Sequence, residues 1–176
     1  MDLSELRPLK TDEFQQLLDF YDRVTANLAG RRFHPGWEKG VWPTEPFLKD
    51  LVDRSRLFVA EIDGKLAAAI GIDHVTAPGY EKVPWAKDLP PEKVSVWHVL
   101  AVAGEFEGQG IAKRLVAKAL ELARQEQQEA IRLDVFPINL PAARLYESCG
   151  FSFRGHHWLS YPDIEAIHSM IYEYLL

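Results

Sequence analysis

The chain has 176 residues, 47% of them hydrophobic, with 26 acidic and 20 basic side chains for a formal charge of −6. That length suits one compact domain, and the acidic balance argues against a nucleic-acid partner while favouring a small cationic substrate. A single cysteine, Cys149, excludes an internal disulfide and a cysteine-based metal centre, so no metal is expected.

No apolar run approaches the roughly 20 residues that span a bilayer, and Met1-Asp2-Leu3-Ser4-Glu5 lacks the basic-then-apolar order of a signal peptide. No membrane partner and a cytoplasmic location are therefore expected. In chain order, Phe14, Leu17, Leu18, Tyr21, Val24 and Leu28 recur at helical spacing, predicting a helix over Asp12–Leu28 capped by Thr11 and ended at Gly30. An irregular stretch rich in aromatics follows, with Phe33, His34, Trp37 and Trp42, and then a short helix over Thr44–Arg54. Leu57–Ile62 and Lys65–Asp73 read as strands joined by Asp63-Gly64, the two-residue hairpin signal. On those strands Glu61 and Asp73 read as solvated charges, with amine binding as the alternative. Pro78, Gly79, Pro84, Pro90 and Pro91 make 75–93 a surface loop that also carries Tyr80 and Trp85.

Val94–Val102 alternates at first and is then continuously apolar, as in a strand that becomes buried on both faces. Gly104–Gln109 is a turn, and Gly110–Glu126 is an amphipathic helix with Ile111, Leu115, Ala119, Leu122 and Ala123 on one face. Ile131–Phe136 is a strand, Leu140–Cys149 a short helix stopped by Gly150, and strands are expected near Phe151–Arg154 and Ser169–Leu175. This order implies one α/β sheet.

The segment Glu107-Gly108-Gln109-Gly110-Ile111-Ala112-Lys113 joins a strand to a helix. Backbone N–H groups at the positive end of a helix dipole make an anion site, and glycines let a bulky diphosphate approach. Lys113, Arg114 and Lys118 add positive charge; the alternative is a plain turn that needs positive φ. No Gly-Lys-Ser/Thr occurs, which removes the Walker pattern, and Lys113 stands where a dinucleotide fingerprint has its third glycine. Further on, Asn139, Ala142 and Tyr146 form one helical stripe, with Asn139 and Tyr146 about 20° apart around the axis. Asn139 also suits the helix N-cap.

Leu100-Ala101-Val102 leading to Gly108-Gln109-Gly110-Ile111-Ala112, then Asn139-Leu140-Pro141-Ala142, Leu145-Tyr146 and Gly150-Phe151, together resemble the GCN5-related N-acetyltransferase (GNAT) family. The resemblance covers roughly Leu57–Phe151. It implies a single α/β domain over 1–176, with a mixed, mostly antiparallel central sheet flanked by helices on both faces. It also implies acetyl-CoA as co-substrate, with pyrophosphate on Glu107–Lys113, the pantetheine arm along Leu100, Ala101 and Val102, and further cofactor contacts at Asn139, Ala142 and Tyr146. The chain departs from the family at Glu107, where Gln or Arg is usual, and at Gly104, where proline is common. A carboxylate beside a diphosphate must turn outward or pair with a base such as Lys113 or Arg114.

Direct transfer to an amine needs a neutral nucleophile and a proton for the departing thiolate. A primary amine is only about one part in a few thousand neutral at pH 7, so a base matched to that pH helps. His98, two residues before Leu100, is the candidate base, a spacing shared with arylalkylamine members of the family; a histidine packed in the sheet is the alternative. Tyr146 is the candidate acid, or else an aromatic on a core helix. Cys149, on an apolar helix face without a basic partner, reads as structural. Phe33, Trp37, Trp42, Tyr80 and Trp85 are candidate acceptor-pocket walls or simply cover the sheet's end. The expected activity is acetylation of a small-molecule primary amine. Peptide amines and a non-catalytic acyl-CoA sensor remain alternatives, and a homodimer is a family-based expectation.

Overall fold

The structure, a computed structural model, describes residues 2–161 and 164–176. Seven strands hydrogen-bond in the order β1-β2-β3-β4-β5-β7-β6: β1 (Arg7–Pro8), β2 (Leu57–Ile62), β3 (Lys65–Asp73), β4 (Val94–Val102), β5 (Ala130–Val135), β6 (Ser152–Tyr161) and β7 (Ile164–Leu175). The helices are α1 (Phe14–Leu28), α2 (Glu45–Asp53), α3 (Ile111–Gln125) and α4 (Leu140–Ser148). The sheet is mixed and mostly antiparallel, with β4 and β5 parallel through Val94–Ala130, Ser95–Ile131 and Val96–Arg132.

The chain forms two compact units. The first comprises the chain up to Arg31, Trp37–Ile72 and Trp97–Ala119. Its hairpin β2–β3 turns at Asp63 (φ 51°) and Gly64 (φ 74°), the left-handed pair that Asp-Gly adopts most cheaply. Leu17, Phe20, Leu48, Leu51, Leu57, Ile70, Ile111 and Leu115 build its core. The expected cap at Thr11 is replaced: Thr11–Glu13 is a 3₁₀ turn before α1, and the Glu13 carboxylate accepts the Lys10 N–H at 2.9 Å. Arg7 orients the same carboxylate with two bonds of 2.7 Å. The two-residue strand β1 has no periodic signal of its own and was not anticipated.

The second unit comprises Arg32–Gly36, Asp73–Val96 and Leu120–Leu176. Here the proline-rich loop is more than a surface connection. It winds into 3₁₀ turns at Tyr80–Lys82 and Pro91–Lys93, and Tyr80 and Val83 enter a core with Val94, Val96, Leu159 and Ile171. Strands β6 and β7 are longer than expected, because Ser152–Tyr161 pairs along β7 while leaving most of its side chains partly or fully exposed. A strand exposed in this way does not show the alternation that marks a half-buried one.

Candidate active site

In the first unit, β4 delivers the chain to the glycine loop through a 3₁₀ turn at Gly104–Phe106, anchored by the buried ring of Phe106. Gly108 and Gly110 have φ of 73° and 74°, and no atom lies within 4 Å of where a Cβ would stand at either. Helical bonding in α3 begins with Arg114 N–H on the Gly110 carbonyl at 3.1 Å. The N–H groups of Ile111, Ala112 and Lys113 therefore precede the first intrahelical bond, at the positive end of a 15-residue helix whose Ile111 and Leu115 side chains are buried in the core. Residues 107–110 are exposed, and Gln109 folds back to donate to the Glu105 carbonyl at 3.0 Å.

Glu107 pairs with a base, as one of the two expectations had it, but the base is Arg31 and neither Lys113 nor Arg114. Its Oε1 accepts from Asn27 Nδ2 at 3.0 Å and its Oε2 lies 3.0 Å from Arg31 Nη2. Arg114 instead lies 3.8 Å from Asp2, and Lys118 pairs with Glu5. These partners come from sequence-distant segments, so no local spacing rule reveals them.

Within β4 the backbone is strained. Val99 has φ of 46°, a left-handed conformation that a β-branched residue adopts at a cost of about 1–2 kcal/mol. Its carbonyl accepts the Tyr21 hydroxyl at 2.7 Å. Tyr21 is buried, its phenol is pushed well above the usual range by that burial, and Trp37 packs edge-on at 5.8 Å. Opposite the distortion, a Cβ on Gly71 would stand 2.9 Å from Leu51 Cδ1 and 3.3 Å from His98 Cβ, so β3 needs glycine there. His98 is half-buried with the Phe47 ring edge-on at 6.0 Å, and Trp42 lies against Phe47 at 4.6 Å. Trp37, Trp42 and His98 are thus all held in one unit. Leu100 and Val102 are half-buried and Ala101 is buried.

In the second unit, Asn139 caps α4 as expected, its Oδ1 accepting the Ala142 N–H at 3.4 Å. Pro141 is tolerated because the first helical turn has N–H groups without intrahelical partners. Tyr146 is buried against Phe151 (5.2 Å) and Tyr172 (6.4 Å). Burial first, then the charges of Asp134 and Cys149, push its phenol above the ordinary value, so it stays protonated through neutral pH. Asp134 accepts from the hydroxyls of Tyr80 at 2.8 Å and Tyr161 at 2.5 Å.

Tyr80 is buried in this unit's core and Trp85 packs half-buried against it: Trp85 Nε1 donates to the Tyr80 carbonyl at 2.9 Å, and Arg132 lies over the Trp85 ring at 4.2 Å. Phe33 is 37% exposed beneath the Arg32 guanidinium. Asp73 is not solvated as expected but 4% exposed, accepting the Val75 N–H at 2.9 Å, and Glu61 is paired with Arg7. Cys149 is half-buried at the C-cap of α4. Among the described residues, no group of three His, Cys, Asp or Glu could hold a metal ion, and no helix is long and apolar enough to cross a membrane.

The structure thus joins a mixed α/β sheet, through a fourth strand distorted at Val99, to an open two-glycine loop at the start of α3. The model of the acetyltransferase (GNAT) family matches residues 17–151. Over 118 residues, 65% of this chain and 48% of the relative, the sequence is 33% identical to N-acetyltransferase 8B of Homo sapiens. It is 32% identical to mycothiol acetyltransferase of Thermomonospora curvata over 127 residues, 70% of this chain and 38% of that protein. The fold is similar to PaiA N-acetyltransferase from Thermoplasma acidophilum, solved in complex with coenzyme A, with a TM-score of 0.70, 15% identity and full coverage of both chains. The chain spans about half the length of the curated relatives it matches, 48% of the first of them. It belongs to the acetyltransferase (GNAT) family.

Proposed function

We propose that this chain moves an acetyl group from acetyl-CoA to the primary amine of a small molecule. The observation that carries the reading is the glycine loop. Two left-handed glycines with open space where a Cβ would stand, followed by the first N–H groups of α3, are what a diphosphate requires of a backbone. Family membership supports the acetyl donor, and a relative whose name specifies mycothiol supports a small-molecule acceptor.

Acetyl-CoA supplies an activated carbonyl as a thioester. Gly108–Lys113 amides hold its pyrophosphate; Leu100–Val102 hold the pantetheine arm, and Asn139 and Ala142 add cofactor contacts. His98 takes one proton from the ammonium, the neutral nitrogen forms the C–N bond as the C–S bond breaks, Tyr146 Oη protonates the departing sulfur, and the second proton shed by the acylated nitrogen returns to the Tyr146 oxygen. Trp37, Trp42 and Phe47 hold the apolar body of the amine.

The test is a thermal shift with acetyl-CoA and competition by coenzyme A, followed by thiol release across a panel of small amines and peptides. Stabilisation with turnover of small amines is expected. Absence of any acetyl-CoA binding sinks the proposal; turnover of peptides alone moves it to peptide amines, and binding without turnover makes the chain a sensor.

A further inference from the structure

Glu107 places a negative charge at the entry of the loop assigned above to pyrophosphate, where charge alone opposes binding. We infer that Glu107 is a positioning residue for that loop, a strut whose carboxylate is held by Asn27 and Arg31 and whose loss weakens acetyl-CoA binding. The inference rests on the proposed acetyl-CoA reading and assigns to it three residues that touch the loop.

Both carboxylate oxygens are engaged, Oε1 by Asn27 Nδ2 at 3.0 Å and Oε2 by Arg31 Nη2 at 3.0 Å. The two donors are themselves tied together, since Arg31 Nε donates to the Asn27 carbonyl at 2.9 Å. That last bond puts a cation on the C-terminal turn of α1, where the helix dipole favours it. The fork of Arg31 is thus anchored at Nε by the Asn27 carbonyl where it meets Glu107.

Gly104 makes the arrangement possible. A Cβ there would stand 2.6 Å from Asn27 Nδ2 and 3.0 Å from its Cγ, so any other residue displaces the amide from Glu107. The 3₁₀ turn at Gly104–Phe106 and the loop entry at Glu107 are therefore both fastened to the end of α1. The pairing also cancels the carboxylate's charge and brings a guanidinium to the loop's first residue. An isolated exposed ion pair contributes little, and Arg31 and Glu107 are 41% and 38% exposed. Here the Asn27 amide and the Arg31–Asn27 bond add geometry that a lone pair lacks.

The consequence runs against simple electrostatics. Removing an acidic side chain beside a diphosphate should tighten binding if Glu107 acts only as a charge; if it acts as a strut, binding weakens. Acetyl-CoA affinity is measured by calorimetry on the wild-type chain and on Glu107→Ala, Asn27→Ala, Glu107→Arg and the charge swap Arg31→Glu/Glu107→Arg, with melting temperatures alongside.

Glu107→Ala and Asn27→Ala are expected to raise Kd about threefold to tenfold, the range of one to two lost hydrogen bonds. In steady state KM for acetyl-CoA rises by a similar factor. Asn27→Ala changes no charge, so its weakening reports geometry alone. The swap is expected to recover affinity relative to Glu107→Arg. Unchanged or tighter binding in Glu107→Ala, or an Asn27→Ala indistinguishable from wild type, overturns the inference and leaves the acetyl-CoA reading standing. Failure of the wild-type chain to bind acetyl-CoA overturns both.

Discussion

The Tyr21 hydroxyl donates to the Val99 carbonyl at 2.7 Å, and Val99 is held left-handed with φ of 46°. A β-branched residue leaves that conformation unless its surroundings over-determine it. Two features do so: the buried phenol and the missing Cβ of Gly71, against which His98 packs. His98 precedes Val99, and Leu100–Val102 follow it, so the bond fixes the direction of the proposed base and of the proposed pantetheine-binding segment.

Tyr21→Phe keeps the buried ring and removes only this bond. The expected loss of stability is about 0.5–1.5 kcal/mol, a few degrees in Tm. The loss in kcat is expected to be larger than that stability change predicts, roughly tenfold, because a displacement of reacting groups costs more than one hydrogen bond. Chemical denaturation and steady-state rates on the same preparation check it. A fall in stability with unchanged kcat would leave Tyr21 a purely structural residue.

His98 and Tyr146 should separate kinetically. His98→Gln is expected to lower kcat by about a hundredfold or more. Tyr146→Phe is expected to slow turnover with little change in coenzyme A affinity. Because burial and the Asp134 charge hold the Tyr146 phenol above its ordinary value, its proton is retained through neutral and mildly alkaline pH. Its removal should therefore lower the whole pH–rate profile without shifting its limbs. A His98 variant with unaltered kcat, or a Tyr146 variant defective only in binding, contradicts these roles.

Most of the elements around these residues follow local rules. Asp63-Gly64 forces the hairpin, Ile111, Leu115 and Ala119 mark the buried face of α3, and Asn139 caps α4 three residues before Ala142. The distortion at Val99 has no such signature, because valine is among the residues least suited to it and the compensation comes from Tyr21 and Gly71, distant in sequence. Glu107 is similar: local spacing points to Lys113 or Arg114, whereas its partners come from the end of α1. Tyr80 shows a third kind of failure. Prolines mark its segment as a loop, yet its ring is 3% exposed and its hydroxyl reaches Asp134.

Acid should weaken the Arg7–Glu13 contact. The bidentate Arg7 bonds hold the Glu13 carboxyl at about 2, well below its ordinary value of 4.5. The folded state thus binds that proton less readily than the unfolded state. The stabilisation is fully present above about 4.5 and is lost as pH falls toward 2. Wild type and Glu13→Gln should differ in Tm at pH 7 and converge as the pH approaches 2. A Tm difference that persists at the lowest pH would show that Glu13 acts by packing and not by charge.

Glu173 holds the second unit together from within. Its side chain is fully buried, with Arg132 Nε at 3.2 Å and Arg154 Nε at 2.9 Å, and its Oε2 accepts the Ala86 N–H at 3.0 Å. Arg132 in turn donates to the Lys87 carbonyl at 2.7 Å and stacks over Trp85. One carboxylate therefore ties β5, β6 and the proline-rich segment to β7. Desolvation lowers the Arg132 pKa, and the adjacent Glu173 charge opposes that shift. Glu173→Gln leaves two cations facing a neutral amide, and uncompensated buried charge costs about 3–5 kcal/mol. Urea denaturation should show a loss of that order, with hydrogen exchange rising in 80–93 before the rest of the unit. The double change Glu173→Leu/Arg132→Met, which removes the central pair, should recover part of the loss. If Glu173→Gln costs less than about 1 kcal/mol, the network is not what secures the segment, and its stability comes instead from burying Tyr80, Val83 and Trp85.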